Sequence, residues 1–385
     1  MKLLFASDSF KGSISSARAA ELLSEEARAV FANAQAHGVE VADGGEGTVS
    51  AVVASAGGRL RRVCVRGPLG DEVEASFGVL NDGRAVIEMA AASGLPLIER
   101  SRRDPRLTST FGTGELIRDA LDAGVRDISL AIGGSATNDG GMGCMRALGA
   151  RFLDQDGNEL EGTGADLARV ASINVDGMDA RLAQTRFFVM CDVDNPLLGD
   201  RGATRVFGPQ KGATSQVVDE LETGMANYAR ILQETFVGID VMAPGMGAAG
   251  GLGAAARAFL QAEMLPGIEQ VLNLLRFDDL LRGCDLCITG EGHADAQSAH
   301  GKVVSGVAAR CKAASVPCVA LVGGMDVDAL ELMDCGVDAI VPTVIDVCAI
   351  DDAMLHAERN YRLAARRTFS LLKLGLHMDE HPHEQ

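Results

Sequence analysis

Short apolar runs alternate with longer amphipathic segments along most of the chain. A continuous apolar run of about four to eight residues predicts a buried strand, and apolar positions recurring every three or four residues predict a helix. The predicted strands are 2–7, 38–42, 60–66, 72–80, 84–88, 127–132, 186–191, 285–289, 317–322 and 338–342. The predicted helices are 15–31, 46–56, 113–123, 140–149, 215–235, 250–262, 267–276, 302–313, 326–335 and 351–373. This alternation is typical of an α/β protein with mainly parallel sheets.

The middle of the chain departs from the strand–helix alternation. Strands 72–80 and 84–88 follow one another with only a turn-like Asn-Asp-Gly between them, which predicts an antiparallel pair. The two ends of the chain are simple strand–loop–helix units. We therefore predict two α/β domains. The outer, discontinuous domain has a mainly parallel sheet and comprises 1–66 and 280–385; the inserted central domain, 67–279, has a mixed sheet. The active site is expected in the cleft between them.

Charge and cysteine content narrow the classes of partner. The chain has 385 residues, 53 acidic and 35 basic, so its formal net charge is −18. Nucleic acids and anionic membranes are captured by basic surfaces, so neither is an expected partner. No apolar run approaches the roughly 18 residues of a membrane span. The nine cysteines are scattered through apolar runs, which predicts reduced, buried thiols and a cytoplasmic location.

Many of the 46 glycines are clustered in polar loops that follow predicted strands. Ligands of open α/β sheets bind at the carboxyl ends of strands, so these loops are expected to converge. The loop 7–13 offers Asp8, Ser9 and Lys11 before a helix N-terminus, where anions are favoured; the alternative is a capped turn with a solvated lysine. In the loop 42–48, Asp43 and Glu46 are candidate Mg²⁺ ligands. Equally, Asp43 could form a turn and Glu46 could lie in the first turn of the following helix, where an acidic residue is stabilising.

The densest of these loops is 131–143, Ala-Ile-Gly-Gly-Ser-Ala-Thr-Asn-Asp-Gly-Gly-Met-Gly. Small hydroxyl side chains and bare backbone N–H groups form concavities that bind anions. The candidate anion-binding residues of this loop are Gly133, Gly134, Ser135, Thr137 and Asn138.

Charged residues follow the next strand. Asp192 and Asp194 share one face of an extended backbone, and two close carboxylates need a cation or a shared proton, which suggests metal binding or general-base work. Lys211, in the stretch 200–214, is a candidate ligand for phosphate or carboxylate. A surface salt bridge is the simpler role for each cation of that stretch.

Two more glycine-containing loops come later. The loop 245–253 contains a weak match to the dinucleotide fingerprint. Gly250 and Gly251 open the predicted helix 250–262, whose N-terminus suits a phosphate. The loop 289–302 brings Glu291, Asp295 and Lys302 together after an apolar strand. Carboxylates with one lysine suggest phosphoryl transfer, in which the protein mainly positions groups and neutralises charge.

Taken together, these segments resemble the bacterial glycerate kinase family of the two-domain type. The resemblance runs in order over roughly 3–325, through DSFKGS, ADGGEGT, GPLGDEVEA, VIEMAAASGL, GTGELI, IGGSATNDGGMG, CDVDNPLLG, FGPQKGAT, GAAGGLGA and GEGHADAQSAHGK. His293 and Val304 depart from it, where the family has a longer basic residue and a proline.

The resemblance implies ATP-dependent phosphorylation of D-glycerate with Mg²⁺. The implied product is 2-phosphoglycerate in preference to 3-phosphoglycerate. This reaction feeds the products of glycolate, glyoxylate or sugar-acid catabolism into glycolysis. The substrates are then small molecules, and a monomer or homodimer is expected.

Roles for individual residues are our own hypotheses. Asp295 or Asp192 takes the proton of the substrate hydroxyl. Asp43, Glu46 and Asp194 hold Mg²⁺ or its waters. Lys11, Lys211 and Lys302 neutralise phosphate oxygens, and the loops 133–141 and 247–253 cradle nucleotide phosphates or the glycerate carboxylate. Two alternatives remain: an NAD-dependent hydroxy-acid oxidoreductase using the glycines at 245–250, and a non-catalytic glycerate-binding regulator.

Overall fold

A computed structural model describes residues 1–10 and 12–380, with only the backbone at 379 and 380. The strands of this part, β1 to β13 in chain order, are Lys2–Phe5, Gln35–Gly38, Gly58–Arg66, Glu72–Leu80, Ala85–Glu88, Asp127–Ala131, Arg151–Leu153, Ser172–Asn174, Arg186–Met190, Glu263–Leu265, Leu286–Ala294, Cys318–Met325 and Ala339–Pro342.

The helices of the described residues are numbered in the same way. Helices α1 to α14 are Ser16–Val30, Thr48–Ala56, Ala90–Ser93, Phe111–Asp122, Met142–Ala147, Ala203–Phe207, Ser215–Thr235, Ala248–Leu260, Gly267–Leu274, Phe277–Leu281, Val303–Ala314, Leu332–Cys335, Ile350–Leu355 and Ala357–Glu380. The predicted helix 351–373 is thus two helices, α13 and α14. The predicted helix 326–335 is a 3₁₀ stretch, Val327–Glu331, followed by the single turn of α12.

The chain divides into two compact units. The first comprises Met1–Asp43 and Val271–Gln385, and the second comprises Gly44–Gln270. These limits differ from the predicted ones at 66/67 and 279/280. Strand β3 pairs along its whole length with β4, which places it in the sheet of the second unit. Gln270 belongs to the second unit as well, where its side-chain amide donates a hydrogen bond to Ser129 Oγ at 2.7 Å.

The first unit contains a five-stranded sheet in the order β13–β12–β11–β1–β2, and every pair in it is parallel. Leu3 and Phe5 of β1 and Ile288 of β11 are fully buried in its core. Helices α1 and α14 contribute Leu22 and Phe369 to the same core. The predicted parallel sheet is confirmed, although β2 ends at Gly38, before the apolar residues that predicted a strand over 38–42.

The order of this sheet creates a switch point between β1 and β11. From β1 the chain continues to β2 on one side, and from β11 it continues to β12 and β13 on the other. Connections that leave two adjacent strands in opposite directions open a crevice at the carboxyl ends of those strands. The segments after Phe5 and at the end of β11 therefore lie at the place in this unit best suited to a ligand.

The second unit contains a six-stranded mixed sheet in the order β10–β9–β6–β5–β4–β3. Strands β3, β4 and β5 pair antiparallel, and β5, β6, β9 and β10 pair parallel. The predicted antiparallel turn is present, with Gly83 in a left-handed conformation at φ +87°. The expectation of two α/β units, one with a mixed sheet, is confirmed. Strands β7, β8 and β10, three residues each, were not predicted.

Candidate active site

Asp8 and Ser9 follow β1 at the switch point of the first unit. The backbone N–H of Asp8 donates to the carbonyl of Gly290 at 2.8 Å, so this loop continues beside β11 beyond the end of β1. The N–H of Ser9 donates to Asp8 Oδ1 at 2.6 Å, which fixes the Asp8 carboxylate at the start of the loop. Lys11, predicted to neutralise phosphate here, lies outside the described residues.

Strand β11 continues to Ala294, beyond the predicted end at 289. It remains paired with β12 as far as Ala294 and Met325. Glu291 and His293 are therefore strand residues, not loop residues as expected, and the alternation of a strand directs both to the same face. His293 Nε2 lies 3.3 Å from Asp326 Oδ1, so a protonated His293 forms an ion pair there.

Glu291 is the buried carboxyl group of this edge, with 8 % of its surface exposed. Its Oε1 is buried and has no hydrogen-bond partner in the described part of the chain. Burial raises the pKa of Glu291; the Ser298 side chain and the Lys302 charge oppose this, and the charges of Asp8 and Asp295 add to it. A carboxyl group with one unsatisfied oxygen and a raised pKa is suited to receive a hydrogen bond from a ligand.

Asp295 and Lys302 lie next to Glu291. Lys302 Nζ is 3.9 Å from Asp295 Oδ1, and that oxygen accepts hydrogen bonds from Ser298 N at 3.1 Å and Ser298 Oγ at 3.3 Å. Partial desolvation acts to raise the pKa of Asp295, but the Lys302 charge and the hydrogen bonds around Ser298 outweigh it, and the pKa is lowered. Asp295 is therefore ionised at neutral pH.

A cavity of about 550 Å³ opens at this edge, and all of its lining residues belong to the first unit. Its polar lining includes Asp8, Ser9, Asp43, Glu291 and Lys302. The cavity thus joins residues from the ends of β1 and β11 with one residue from the loop 42–48. Five of the predicted site residues are brought together here.

In the second unit, the loop after β6 is largely buried. Thr137 and Asn138 are inaccessible to solvent and Ser135 is 8 % exposed, whereas Gly133 and Gly134 are exposed. Within the described residues, no acceptor is found for the backbone N–H groups of Gly133 and Gly134. Exposed, unpaired N–H groups of consecutive residues are the feature of an anion-binding loop.

Lys211 lies beneath this loop, with 3 % of its surface exposed. Its ammonium group donates to the carbonyl of Thr137 at 2.6 Å and to Ser135 Oγ at 3.5 Å. No carboxylate of the described residues forms an ion pair with it, although Asp139 is close enough to favour its charge. Burial lowers the pKa of Lys211 from 10.5 to about 8, and the charge of Asp139 opposes that change.

Asn138 and Asp139 hold the loop in place. The Asn138 amide donates to Thr204 Oγ1 at 3.1 Å, while its Oδ1 is buried and has no hydrogen-bond partner among the described residues. Asp139, not among the predicted site residues, accepts hydrogen bonds from the N–H and hydroxyl of Thr110 at 2.7 and 2.8 Å. It also accepts from the N–H groups of Gly141 and Gly143. The sequence signal that could have indicated this loop-holding role was a single aspartate directly before two glycines.

Gly250 and Gly251 lie in the interior of the second unit. Ala249, Gly250 and Gly251 all have left-handed φ values, of 52°, 67° and 96°. A Cβ on Gly250 would overlap the carbonyl oxygen of Thr137, and the N–H of Gly140 donates to the carbonyl of Gly250 at 2.9 Å. These glycines pack against the protein's own backbone, so the fingerprint-like spacing at 245–250 has a structural cause.

The remaining acidic candidates are dispersed. Asp192 Oδ1 accepts from the N–H of Gly267 at 2.8 Å at the start of α9, and Asp194 is 71 % exposed and 2.7 Å from Arg201. Glu46 is exposed. Among the residues that the structure describes, no group of three or more His, Cys, Asp or Glu side chains is arranged to hold a metal ion.

Another carboxylate positions the loop 42–48. Glu88 Oε1 accepts from the N–H of Val49 at 2.7 Å, in the first turn of α2. Burial raises the pKa of Glu88, and its hydrogen bonds from Val49 and Gly47 oppose this change. Glu88 was not predicted as a functional residue, and its position at the end of β5 was the signal that could have indicated it.

The first unit, with an all-parallel sheet and a cavity lined by carboxylates and Lys302 at its switch point, has the features of a phosphoryl-transfer enzyme. Comparisons with known proteins identify the class. The model of the Glycerate kinase family matches residues 3–373. The chain therefore belongs to the Glycerate kinase family, and the expectation of a kinase is confirmed.

Individual relatives match over nearly their whole length. "Glycerate kinase" of Bacillus subtilis (strain 168) is 44% identical over 376 residues, covering 97% of this chain and 98% of the relative. "Glycerate 2-kinase" of Escherichia coli (strain K12) is 44% identical over 378 residues, covering 98% and 99%. The crystal structure of putative glycerate kinase 2 from Salmonella typhimurium LT2 has a TM-score of 0.89 at 43% identity, covering 98% and 99%. No helix of the described chain is long and apolar enough to cross a membrane.

Proposed function

We propose that this chain transfers the terminal phosphoryl group of ATP to the 2-hydroxyl of D-glycerate, with Mg²⁺, and releases 2-phosphoglycerate and ADP. The family supports the kinase activity, and the Escherichia coli relative that supports the 2-position is named "Glycerate 2-kinase". The nine cysteines, all within the described residues, are free thiols, which supports a reducing compartment such as the cytoplasm.

The observation that carries the proposal is the buried ammonium group of Lys211. A buried charge without an ion pair is costly, and an anionic oxygen would complete its partners. The exposed Gly133 and Gly134 present free N–H groups in the adjoining loop. Lys211 therefore serves an anion of a substrate, either the glycerate carboxylate or a nucleotide phosphate.

Asp295 is the base candidate that the contacts favour over Asp192. Both carboxylates accept hydrogen bonds on Oδ1, Asp192 from Gly267 N at 2.8 Å and Asp295 from Ser298, so the preference rests on the charged neighbours of Asp295. Asp295 is ionised and adjoins Lys302, and Glu291 lies within reach of its charge. In a loose phosphoryl-transfer transition state, such a carboxylate orients the substrate hydroxyl and accepts its proton late, while a lysine neutralises phosphate oxygens.

Magnesium needs only one or two protein carboxylates when nucleotide phosphates supply the other ligands. The predicted trio of Asp43, Glu46 and Asp194 is not a preformed ligand group, because Asp194 is exposed and paired with Arg201. Asp8 and Asp43 do fit, since both are oxygen donors that line the cavity with Glu291. When bound there, Mg²⁺ would neutralise phosphate charge. Asp8 and Asp43 would hold it by their carboxylate oxygens.

The first experiment measures ADP release by a coupled assay, with D-glycerate or L-glycerate as acceptor, and identifies the product by phosphorus NMR. Turnover with D-glycerate and a phosphorus signal split by the single proton on C2 are expected. A signal split by two protons would assign the 3-isomer instead. ADP release that does not depend on glycerate would overturn the proposed substrate.

The role of Asp295 has its own test. Asp295→Asn keeps the side-chain volume but removes the base, so kcat is expected to fall by about 10²- to 10⁴-fold. Asp192→Asn is the matched variant, and its kcat is expected to fall far less. Near-normal turnover of Asp295→Asn, or a larger loss in Asp192→Asn, would reverse the assignment.

A further inference from the structure

The cavity of the first unit has an apolar side that the proposed chemistry does not use. Phe10 and Ile14 lie on this side after β1, and Ile350, Met354 and Ala357 face it from α13 and α14. Phe10 is held in place by an edge-on contact with Tyr361, the ring centroids being 5.1 Å apart. The polar residues Asp8, Glu291 and Lys302 belong to the same cavity, whose ligand must therefore have both an apolar and a polar part.

The size of the cavity separates the two substrates. Glycerate has three carbon atoms, all bearing oxygen, so it would leave most of about 550 Å³ unfilled and gain nothing from apolar contacts. Cavities of roughly 300–1,000 Å³ bury ligands of drug size, which is the size of a nucleoside. An aromatic base gains from contact with Phe10 and Met354, because both side chains interact favourably with ring systems.

The position of the cavity favours a nucleotide as well. It lies at the carboxyl ends of β1 and β11, where the sheet order reverses, and crevices at such switch points bind nucleotides in open α/β sheets. Lys302 precedes α11, so it lies at the N-terminus of a twelve-residue helix, where negative charge is favoured. Phosphate groups are stabilised by this end of the cavity and not by its apolar side.

One buried amide lines the cavity. Asn360, on α14 one turn after Ala357, is 4 % exposed. Its Oδ1 accepts a long hydrogen bond from Arg359 at 3.4 Å, which leaves this oxygen a second lone pair, and its NH2 group has two donors. One N–H and the oxygen match the N7 acceptor and the N6 amino donor of adenine. Guanine presents two acceptors, N7 and O6, on the corresponding edge and offers no donor to the amide oxygen.

We propose that this cavity binds the nucleoside of the phosphate donor, with the base between Phe10, Met354 and Ala357, and that Asn360 selects adenine. This inference rests on the proposed kinase function and assigns one substrate to a site in one unit. It excludes glycerate from the apolar side of the cavity.

The first test fills the apolar side. Ala357→Phe, and Ala353→Phe as a second variant on α13, are expected to raise the KM for ATP by about tenfold or more, since lost apolar contact of a base is worth over 1.4 kcal/mol. The KM for D-glycerate stays within about twofold. Leu371→Phe, at a site on α14 that is 69 % exposed, is the control for an added ring. Circular dichroism and thermal melting confirm that each variant is folded.

The second test addresses the base. Asn360→Leu is expected to lower the ratio of kcat/KM for ATP to that for GTP by about tenfold, because unpaired polar groups penalise the wrong base. An unchanged ratio would remove Asn360 from the assignment. A rise in the KM for D-glycerate in the filled variants, with that for ATP unchanged, would place glycerate in the cavity and overturn the inference while leaving the kinase function intact.

Direct binding separates this inference from the proposed function. Calorimetry with adenosine alone probes the nucleoside contacts without phosphates or Mg²⁺. Binding to the wild-type chain that is lost in Ala357→Phe supports the cavity even if no ADP is released with glycerate. Equal adenosine binding by the wild type and by both filled variants would overturn the inference.

Discussion

The buried Lys211 makes the stability of this protein depend on pH in a direction that is unusual for a lysine. Replacing it by methionine keeps an unbranched side chain, one heavy atom shorter, and removes the charge. The ammonium group of the wild type is desolvated and bound to the carbonyl of Thr137 at 2.6 Å, and burial lowers its pKa from 10.5 to about 8.

The magnitude follows from that lowered pKa. Between pH 8 and 10.5 the unfolded chain holds the proton of Lys211 and the folded protein releases it, so stability rises with pH in this interval. Below pH 8 both states are protonated and the cost of burying the charge is fully present. A tenfold difference in proton affinity between the two states corresponds to about 1.36 kcal/mol. The wild type is therefore expected to gain about 2.5 kcal/mol relative to Lys211→Met between pH 7 and pH 10.

Urea unfolding at pH 7, 8, 9 and 10 gives the free energy of unfolding of the wild type and of Lys211→Met. Subtracting one free energy from the other at each pH cancels the titration of the other groups. Lys312→Met is the matched control, since Lys312 is exposed and its ammonium group donates to the carbonyl of Asp334 at 3.0 Å. Its difference from the wild type is expected to be constant over this range. A Lys211→Met difference that is also constant would refute the view that this ammonium group is desolvated.

The same residue predicts a kinetic effect. An anion bound to a buried ammonium group contributes about 1.5–3 kcal/mol, so Lys211→Met is expected to lower kcat/KM by roughly 10- to 150-fold. In the wild type, kcat/KM falls as the pH rises through about 8, because the free enzyme loses the proton of Lys211. The KM that rises in the variant, for glycerate or for ATP, identifies the anion that Lys211 binds. An unchanged kcat/KM would separate Lys211 from substrate binding.

Three further predictions concern glycine packing, a buried acid and the metal. Gly250→Ala is expected to be less stable than Gly157→Ala by about 1–3 kcal/mol. Both glycines have positive φ, 67° and 82°, but of the two only Gly250 faces a backbone oxygen. Equal unfolding midpoints of the two variants would contradict this. Glu291→Gln is expected to stabilise the protein at pH 7, because the raised pKa of Glu291 means that its ionised form is unfavourable in the folded state. The gain in stability should shrink toward pH 4, where the wild-type carboxyl group is protonated. A gain that does not depend on pH would contradict this cause. Asp194→Asn is expected to leave the Mg²⁺ concentration for half-maximal activity within about twofold, because its carboxylate is exposed and paired with Arg201; a tenfold rise would restore Asp194 as a ligand.

Local patterns predicted the fold well where they were unbroken. Helix α7 spans Ser215–Thr235 as predicted, because its amphipathic pattern is regular and Thr214 caps its start by accepting from Val217 N. Strand β11 was predicted too short, since Gly290 and Gly292 interrupt its apolar run. A Cβ at Gly290 would overlap the carbonyl of Leu321, so glycine is required there by the approach of β12. Such a contact depends on a distant strand and leaves no local pattern.

The candidate site was predictable in composition but not in environment. The spacing of Glu291, Asp295 and Lys302 indicated that they are neighbours, and their contacts agree. Nothing near Lys211 in the sequence indicates that it is buried, because its partners Ser135 and Thr137 come from a loop far earlier in the chain. Gly250 and Gly251 resembled a ligand loop for a related reason, since close approach to backbone and close approach to a ligand require the same residue type.

The pairing of β1 with β11 has a consequence for synthesis on the ribosome. Leu3 lies opposite Ala36 of β2 on one side and Leu286 of β11 on the other, so β1 can pair early with β2 but must wait for most of the chain before β11 exists. The second unit, Gly44–Gln270, is continuous and can fold during that interval. The edge of Lys2–Phe5 that faces β11 therefore stays unpaired on the nascent chain during that interval, and long-range parallel pairing is slow. Completion of the first unit, and with it the cavity at its switch point, is therefore the late step of folding.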